Sequence, residues 1–130
     1  MSKTENALLD LQLKALQLQN ELDLVDIIRQ EVGDYFRIKP ANLSKKTRLR
    51  TYVWPRQVAM YFIREFTSFG YLDIAKEFGL INHATAIHSV KIVKQDIEFD
   101  RRKENQIKQI QIKILNSNGE TKRDQEGIIT

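Results

Sequence analysis

The stretch Tyr71–Gln95, YLDIAKEFGLINHATAIHSVKIVKQ, constrains the fold more than any other part of the chain. Its apolar spacing predicts a short helix at Leu72–Phe78 and a second helix at His83–Gln95. Gly79 lies in the turn between them, where glycine adopts positive φ without steric cost, and Asn82 is suited to cap the second helix. Two helices joined by a glycine-containing turn form a helix-turn-helix, whose second helix enters the DNA major groove.

A basic run precedes this helix pair. Residues 37–64 contain eight Lys and Arg and no Asp or Glu, an excess of positive charge that attracts DNA phosphates. Residues 1–36 have seven acids and three bases, so charge is separated along the chain although the net charge is only +4. Such separation orients an approaching polyanion, although a solvated surface explains the imbalance by itself equally well.

The composition favours one intracellular domain and excludes several classes of site. The 130 residues are 42% hydrophobic and 29% charged, as in ordinary globular proteins. There is no cysteine, no signal-peptide pattern and no apolar run of membrane-spanning length. His83 and His88 lack metal-ligand spacing and an acidic partner. We therefore expect a cytoplasmic protein that is not an enzyme, with no membrane contact, no cofactor and no metal.

A long amphipathic helix is predicted for residues 5–36. Its seam, at three- and four-residue steps, consists of Leu11, Ala15, Leu18, Leu22, Val25 and Val32. The later part is expected to pack into the domain. The earlier part, within residues 1–23, exposes a leucine-rich face that binds a second copy or a protein partner, or else extends along the same core.

The remaining segments complete an all-α prediction. They are a turn at Lys39–Leu43, an exposed basic loop at Ser44–Trp54, a helix from Pro55 to a stop at Gly70, and a last helix at Arg102–Leu115. Trp54 and Tyr52 are expected to cover the core rather than stack on DNA, and Phe99 to pack at a bend. Residues 116–130 are polar and contain glycine, which indicates a loose tail.

The segments KKTRLRTYV and WPRQVAMYFIREFTSFGYLDIAKEFGLINHATAIHSV resemble the C-terminal DNA-binding domain of the bacterial replication initiator DnaA. The matching positions are Pro55, Arg56, Gln57, Ala59, Met60, Glu65, Thr67, Ile74, Phe78, Gly79, His83, Thr85 and His88. The resemblance spans about residues 24–115. It implies a helical bundle containing a helix-turn-helix of the DnaA and Trp repressor type, with an extended N-terminal helix.

The resemblance implies sequence-specific binding of double-stranded DNA in replication initiation or its regulation. The arginine that aligns with Arg48 enters the minor groove, Arg56 and Gln57 hold the DNA backbone or neighbouring bases, and the His83–Thr85 turn enters the major groove. The full set of candidate DNA-binding residues is Lys45, Lys46, Arg48, Arg50, Arg56, Gln57, Asn82, His83, Ala84 and Thr85.

Three departures from the family pattern predict an altered DNA consensus. Ile81 stands where the family has arginine, and Asn82, whose bidentate preference is adenine, replaces an acid. Ala84 keeps a methyl group but lacks the family's hydroxyl. The chain has no G-x-x-x-x-G-K-[ST] motif, so no nucleotide is expected to bind. The alternative function is a protein-interaction adaptor that acts through the N-terminal helix, with a degenerate DNA surface.

Overall fold

The fold is entirely helical in the part of the chain that the structure describes. The computed structural model describes the backbone of residues 3–129 and the side chains of residues 7, 8, 10–12 and 18–117. Its elements are α1 (Lys3–Phe36), a 3-10 helix (Pro40–Ser44), α2 (Arg50–Phe66), α3 (Tyr71–Glu77), α4 (His83–Phe99) and α5 (Arg101–Ile129). The predicted all-α class is confirmed, and the 3-10 helix falls where a turn was predicted, at Lys39–Leu43.

Helix α2 lies at the centre of the bundle. It contacts α1, α3, α4 and the 3-10 helix, while α5 packs on α1 and α4. The predicted apolar face of α2 is buried, with Phe62 and Ile63 inaccessible to solvent. Phe78 of the α3–α4 turn and Ile110 of α5 join the same core. Because α2 has neighbours on several sides, its burial fixes the relative positions of the basic segment before it and the helix pair after it.

Helix α1 ends in a tight reversal that brings the chain onto α2. The Ile38 amide donates to the Gly33 carbonyl at 2.8 Å and the Arg37 amide to the Asp34 carbonyl at 3.3 Å. These bonds form a Schellman motif with Arg37 at the left-handed position, φ 59°. Gly33 is buried there, and a Cβ at that position would lie 2.5 Å from the Ile38 carbonyl oxygen.

The N-terminal half of α1 continues the same helix but exposes its leucines. Leu8, Leu11 and Leu18 are each more than half exposed, and Leu22 is 40% exposed. Val25 and Val32, later on the predicted seam, are buried. For these residues the exposures favour the alternative of an exposed leucine-rich face over extension along the core, and the binding of a partner to that face stays a prediction. The side chains of Leu9, Leu13, Ala15 and Leu16 lie outside the described residues.

The predicted bounds of α2 are wrong at both ends. The helix begins at Arg50, so Pro55 lies inside its first two turns, where it cannot donate to the Thr51 carbonyl. At the other end, α2 stops at Phe66 and the Thr67 hydroxyl donates to the Ile63 carbonyl. Gly70 is instead the N-cap of α3.

The last helix differs from its prediction as well. Helix α5 continues past Leu115 to Ile129, so residues 116–129 are helical where a loose tail was predicted. The side chains of residues 118–130 lie outside the described residues. Phe99 does not pack at the bend before α5, since it is 82% exposed. Asp100 makes the bend by accepting hydrogen bonds from the amides of Arg102 and Lys103.

Candidate nucleic-acid interface

Helices α3 and α4 form the predicted helix-turn-helix. Gly79 has φ 67°, and the Leu80 amide donates to the Ala75 carbonyl at 2.8 Å, so α3 also ends in a left-handed turn. Ala75 is fully buried at the point where the helices approach. On the α4 side of the pair, Ala86 is fully buried, whereas Ile87 is 39% exposed.

The first turn of α4 is exposed and capped as predicted. The Asn82 side-chain oxygen accepts a hydrogen bond from the Ala84 amide at 2.9 Å. His83, Ala84 and Thr85 are all exposed, on the turn where groove-reading residues lie in helix-turn-helix proteins. A helix N-terminus also offers unpaired N–H groups and a partial positive charge, both of which attract phosphate.

Arg56 holds the basic loop, defined here as Lys45–Leu49, against the start of α2. Its guanidinium donates to the Lys45 carbonyl and to the Thr47 carbonyl, both at 2.8 Å. Partial burial lowers the pKa of Arg56 below its ordinary value. The guanidinium therefore positions the loop through main-chain oxygens, and the direct DNA contact predicted for Arg56 stays a prediction.

A groove of about 630 Å³ separates the basic loop from α4. Lys46 and Arg48 line one side of it, Arg56 and Gln57 of α2 line its floor, and Thr85 lines the α4 side. No Asp or Glu is among the residues that line this groove. Five of the ten candidate residues, from three separate segments, therefore meet at one surface that favours an anion.

The other five candidates lie around this groove rather than in it. Asn82, His83 and Ala84 stand on the exposed first turn of α4. The Lys45 ammonium lies 5.3 Å from the Tyr52 ring centroid. Arg50 lines a second cleft, of about 660 Å³, beside Trp54 and Pro55. Their direct contacts with DNA stay predictions.

Sequence reasoning missed His88 as a groove residue. His88 was rejected as a metal ligand and was not included among the candidate DNA-binding residues. The side chain is exposed and lines the groove beside Thr85. Its signal was present in the spacing, because residues three apart share a helix face, so Thr85 and His88 are neighbours.

Trp54 belongs to the protein interior more than to the DNA surface. It is half-buried, its indole N–H donates to the Gln106 side-chain oxygen at 3.0 Å, and the Lys103 ammonium lies 4.5 Å from the ring centroid. These contacts tie α2 to α5, which confirms the predicted packing role. Across the described residues, no cluster of His, Asp and Glu could hold a metal ion, and no helix could cross a membrane.

The sequence profile described as "Bacterial dnaA protein helix-turn-helix" matches residues 25–93, more than half of the chain. The chain belongs to this DnaA family. The match begins at Val25, where α1 enters the core, and ends at Val93, in the buried part of α4. The DnaA helix-turn-helix domain, a DNA-binding domain, therefore contains both the basic loop and the α3–α4 pair.

Curated relatives named chromosomal replication initiator protein DnaA match the same region. The protein from Geotalea daltonii is 36% identical over 104 residues, covering 79% of this chain and 23% of the relative. The protein from Rickettsia bellii is 33% identical over 115 residues, covering 88% of this chain and 24% of the relative. For Wolbachia pipientis wMel the identity is 38% over 86 residues, covering 66% and 19%. The chain thus spans about a quarter or less of each DnaA relative.

Proposed function

We propose that this protein binds a specific sequence of double-stranded DNA and thereby recognises sites that are used in replication initiation or its regulation. The observation that carries the proposal is the acid-free groove, which places Arg48 and Thr85 on one surface. In the proposed complex, the first turn of α4 enters the major groove, where each base pair has a distinct pattern of donors and acceptors. Arg48 reaches the adjacent minor groove, whose negative potential favours a guanidinium.

The bracing of the basic loop supports this arrangement. Arg56 holds two loop carbonyls, at Lys45 and Thr47, so the backbone around Arg48 is fixed before DNA arrives. A preorganised loop loses less conformational entropy on binding than a free one. Only the exposed Arg48 side chain then has to lose conformational freedom when DNA binds.

The proposed role is limited to recognition. The sequence contains no phosphate-binding G-x-x-x-x-G-K-[ST] motif, so ATP-driven steps are not assigned to it. The relatives that share this domain are named replication initiators. We propose that this protein marks a DNA site or competes with an initiator for it.

The first test is selection of bound duplexes from a random library. The selected duplex is then titrated against a scrambled duplex at two salt concentrations. We expect a clear consensus and a large specificity ratio. Equal affinity for both duplexes with a steep salt dependence would mean that only phosphates are bound, and absence of binding would overturn the proposal.

Two substitutions test the residues assigned to the grooves. Arg48→Ala and His83→Ala are each expected to weaken binding to the selected duplex by about 1–3 kcal/mol. Both side chains are exposed, so the melting temperature should stay unchanged. Ile112→Ala, at an exposed position of α5, is the control. Wild-type affinity in both groove variants would contradict the assignment.

The exposed leucines of α1 favour a second candidate function, a protein-interaction adaptor. Leu8, Leu11 and Leu18 are each more than half exposed. Replacing all three with Gln should abolish self-association or partner binding if α1 is the working part. If the protein acts by reading DNA, the same variant should keep its affinity for the selected duplex, which titration measures. Analytical ultracentrifugation shows whether the variant is a monomer.

A further inference from the structure

Ile81 has the highest exposure of the large apolar side chains in the described part of the chain, at 99%. It lies in the turn between α3 and α4, next to the Asn82 cap. Aliphatic groups in water are unfavourable, and a fully exposed isoleucine contributes nothing to the core. Because Ile81 lies on the turn that is proposed to face DNA, its side chain is available to contact another molecule.

The usual structural use of an apolar residue before an N-cap does not apply here. In a hydrophobic staple, the residue before the cap packs against the fourth residue of the helix. That partner would be Ala86, which is fully buried, whereas Ile81 makes no such contact at its 99% exposure. Ile81 is thus held outward by a capped, rigid turn.

We propose that Ile81 reads the 5-methyl groups of thymine in the major groove, an inference that rests on the proposed DNA binding. Thymine alone among the four bases presents a methyl group there. Contact between that methyl group and a branched aliphatic side chain removes apolar surface from water on both partners. Ala84, in the first turn of α4, also exposes its methyl group and is a second candidate for such a contact.

The inference predicts a preference for thymine that is independent of hydrogen bonding. A methyl contact discriminates thymine from uracil, although both bases pair with adenine through the same edge. Replacement of thymine by deoxyuridine therefore isolates the contact without changing the charge or the base pairing of the duplex. The expected loss is about threefold to fivefold in affinity for each methyl group that Ile81 covers.

The experiment replaces each thymine of the selected duplex with deoxyuridine, one at a time. Affinities are measured for the wild type, for Ile81→Ala, and for Ile112→Ala as a control at an exposed isoleucine of α5. We expect one or two positions to lose affinity in the wild type and in Ile112→Ala. The same positions should be insensitive to deoxyuridine in Ile81→Ala, with the melting temperature of that variant unchanged.

Two results would overturn the inference while specific binding persists. One is a wild type that is insensitive to deoxyuridine at every position. The other is equal sensitivity in Ile81→Ala, which would assign the methyl contact to another side chain such as Ala84. If random selection returns no preferred duplex, the proposed function itself fails, and the inference is overturned with it.

Discussion

At the scale of single residues, Arg56 can affect DNA binding through the loop that it positions. We expect Arg56→Lys to weaken binding to the selected duplex about tenfold, because an ammonium cannot replace a planar guanidinium that holds two carbonyls. The number of positive charges is unchanged, so the slope of log affinity against log salt should stay close to that of the wild type. Titrations over a salt series measure both quantities.

The contrast with Arg48 makes the Arg56 prediction specific. Arg48→Ala removes an exposed charge that the proposed complex places in the electronegative minor groove, so the magnitude of the salt slope should fall. Wild-type affinity in Arg56→Lys would mean that the loop keeps its conformation without the guanidinium. A changed salt slope would mean that the substitution alters the number of phosphates that the protein contacts.

Asn82 combines a cap with a candidate base contact. Its side-chain oxygen accepts from the Ala84 amide, and a bidentate contact with adenine requires the same oxygen to accept again. Asn82→Asp keeps an N-cap but offers only acceptors, so we expect the selected consensus to shift from adenine towards cytosine at one position. Repeating the duplex selection with this variant checks the shift, and an unchanged consensus would leave Asn82 as a cap alone.

Some features of the candidate site could be predicted from the sequence at single residues, and others could not. The positive φ of Gly79 and the capping by Asn82 follow from residue type and local spacing, and both predictions are confirmed. The brace by Arg56 could not be predicted, because its partners are main-chain carbonyls, which every residue carries. The outward position of Ile81 could not be predicted either, because an apolar residue before an N-cap can also pack against its helix as a hydrophobic staple.

At the scale of helices, the reversal after α1 is sensitive to one missing side chain. Gly33→Ala would place a Cβ 2.5 Å from the Ile38 carbonyl oxygen, which is main chain and cannot rotate away. We expect this variant to lower the free energy of unfolding by about 1–3 kcal/mol. Chemical denaturation monitored by circular dichroism measures the difference.

Gly70 supplies the matched control for that change. A Cβ there would meet only a carboxylate oxygen of Asp73 at 3.9 Å, and φ is −75°, an ordinary value for any residue. Gly70→Ala should therefore change stability by less than about 1 kcal/mol. Equal losses in the two variants would show that crowding at Ile38 is not the cause.

Helix bounds were predicted less well than helix existence, for two physical reasons. Local preference favours proline in the first turn of a helix, whereas Pro55 is a buried residue inside α2, which begins earlier, at Arg50. The extension of α5 involves tertiary contacts, since the Ser117 hydroxyl donates to the Glu31 carboxylate of α1. Contacts of this kind are invisible to local spacing.

At the scale of the whole molecule, separated charge should orient the protein on DNA. The acidic segment 1–36 has a balance of −4 and the remainder +8, for a total of +4. Neutralising the exposed acids Asp23 and Asp26 as Asn should raise affinity for scrambled DNA by up to about threefold at low salt. The gain should vanish at high salt through screening, and no gain at low salt would show that α1 lies too far from the DNA to matter.

Helix α1 is also joined to the DNA-binding domain by polar contacts outside the core. The Glu21 carboxylate accepts from the amide and the hydroxyl of Ser68, both at 2.8 Å. Arg29 donates to the Ser44 hydroxyl at 2.7 Å and lies 4.7 Å from the centroid of the Phe78 ring. These bonds reach the segments before and after α2, so α1 has a fixed direction relative to the groove.

In a continuous helix that is anchored at one end, the position of a residue along the helix also fixes its direction around the helix axis. Each residue of α1 advances about 1.5 Å and turns about 100°, so its 34 residues extend about 50 Å. A molecule bound to the leucines near its start would therefore face one side of the bound duplex, and one inserted residue would swing that molecule about a quarter of a turn around the axis. The length of α1 would then determine which face of the DNA a partner meets.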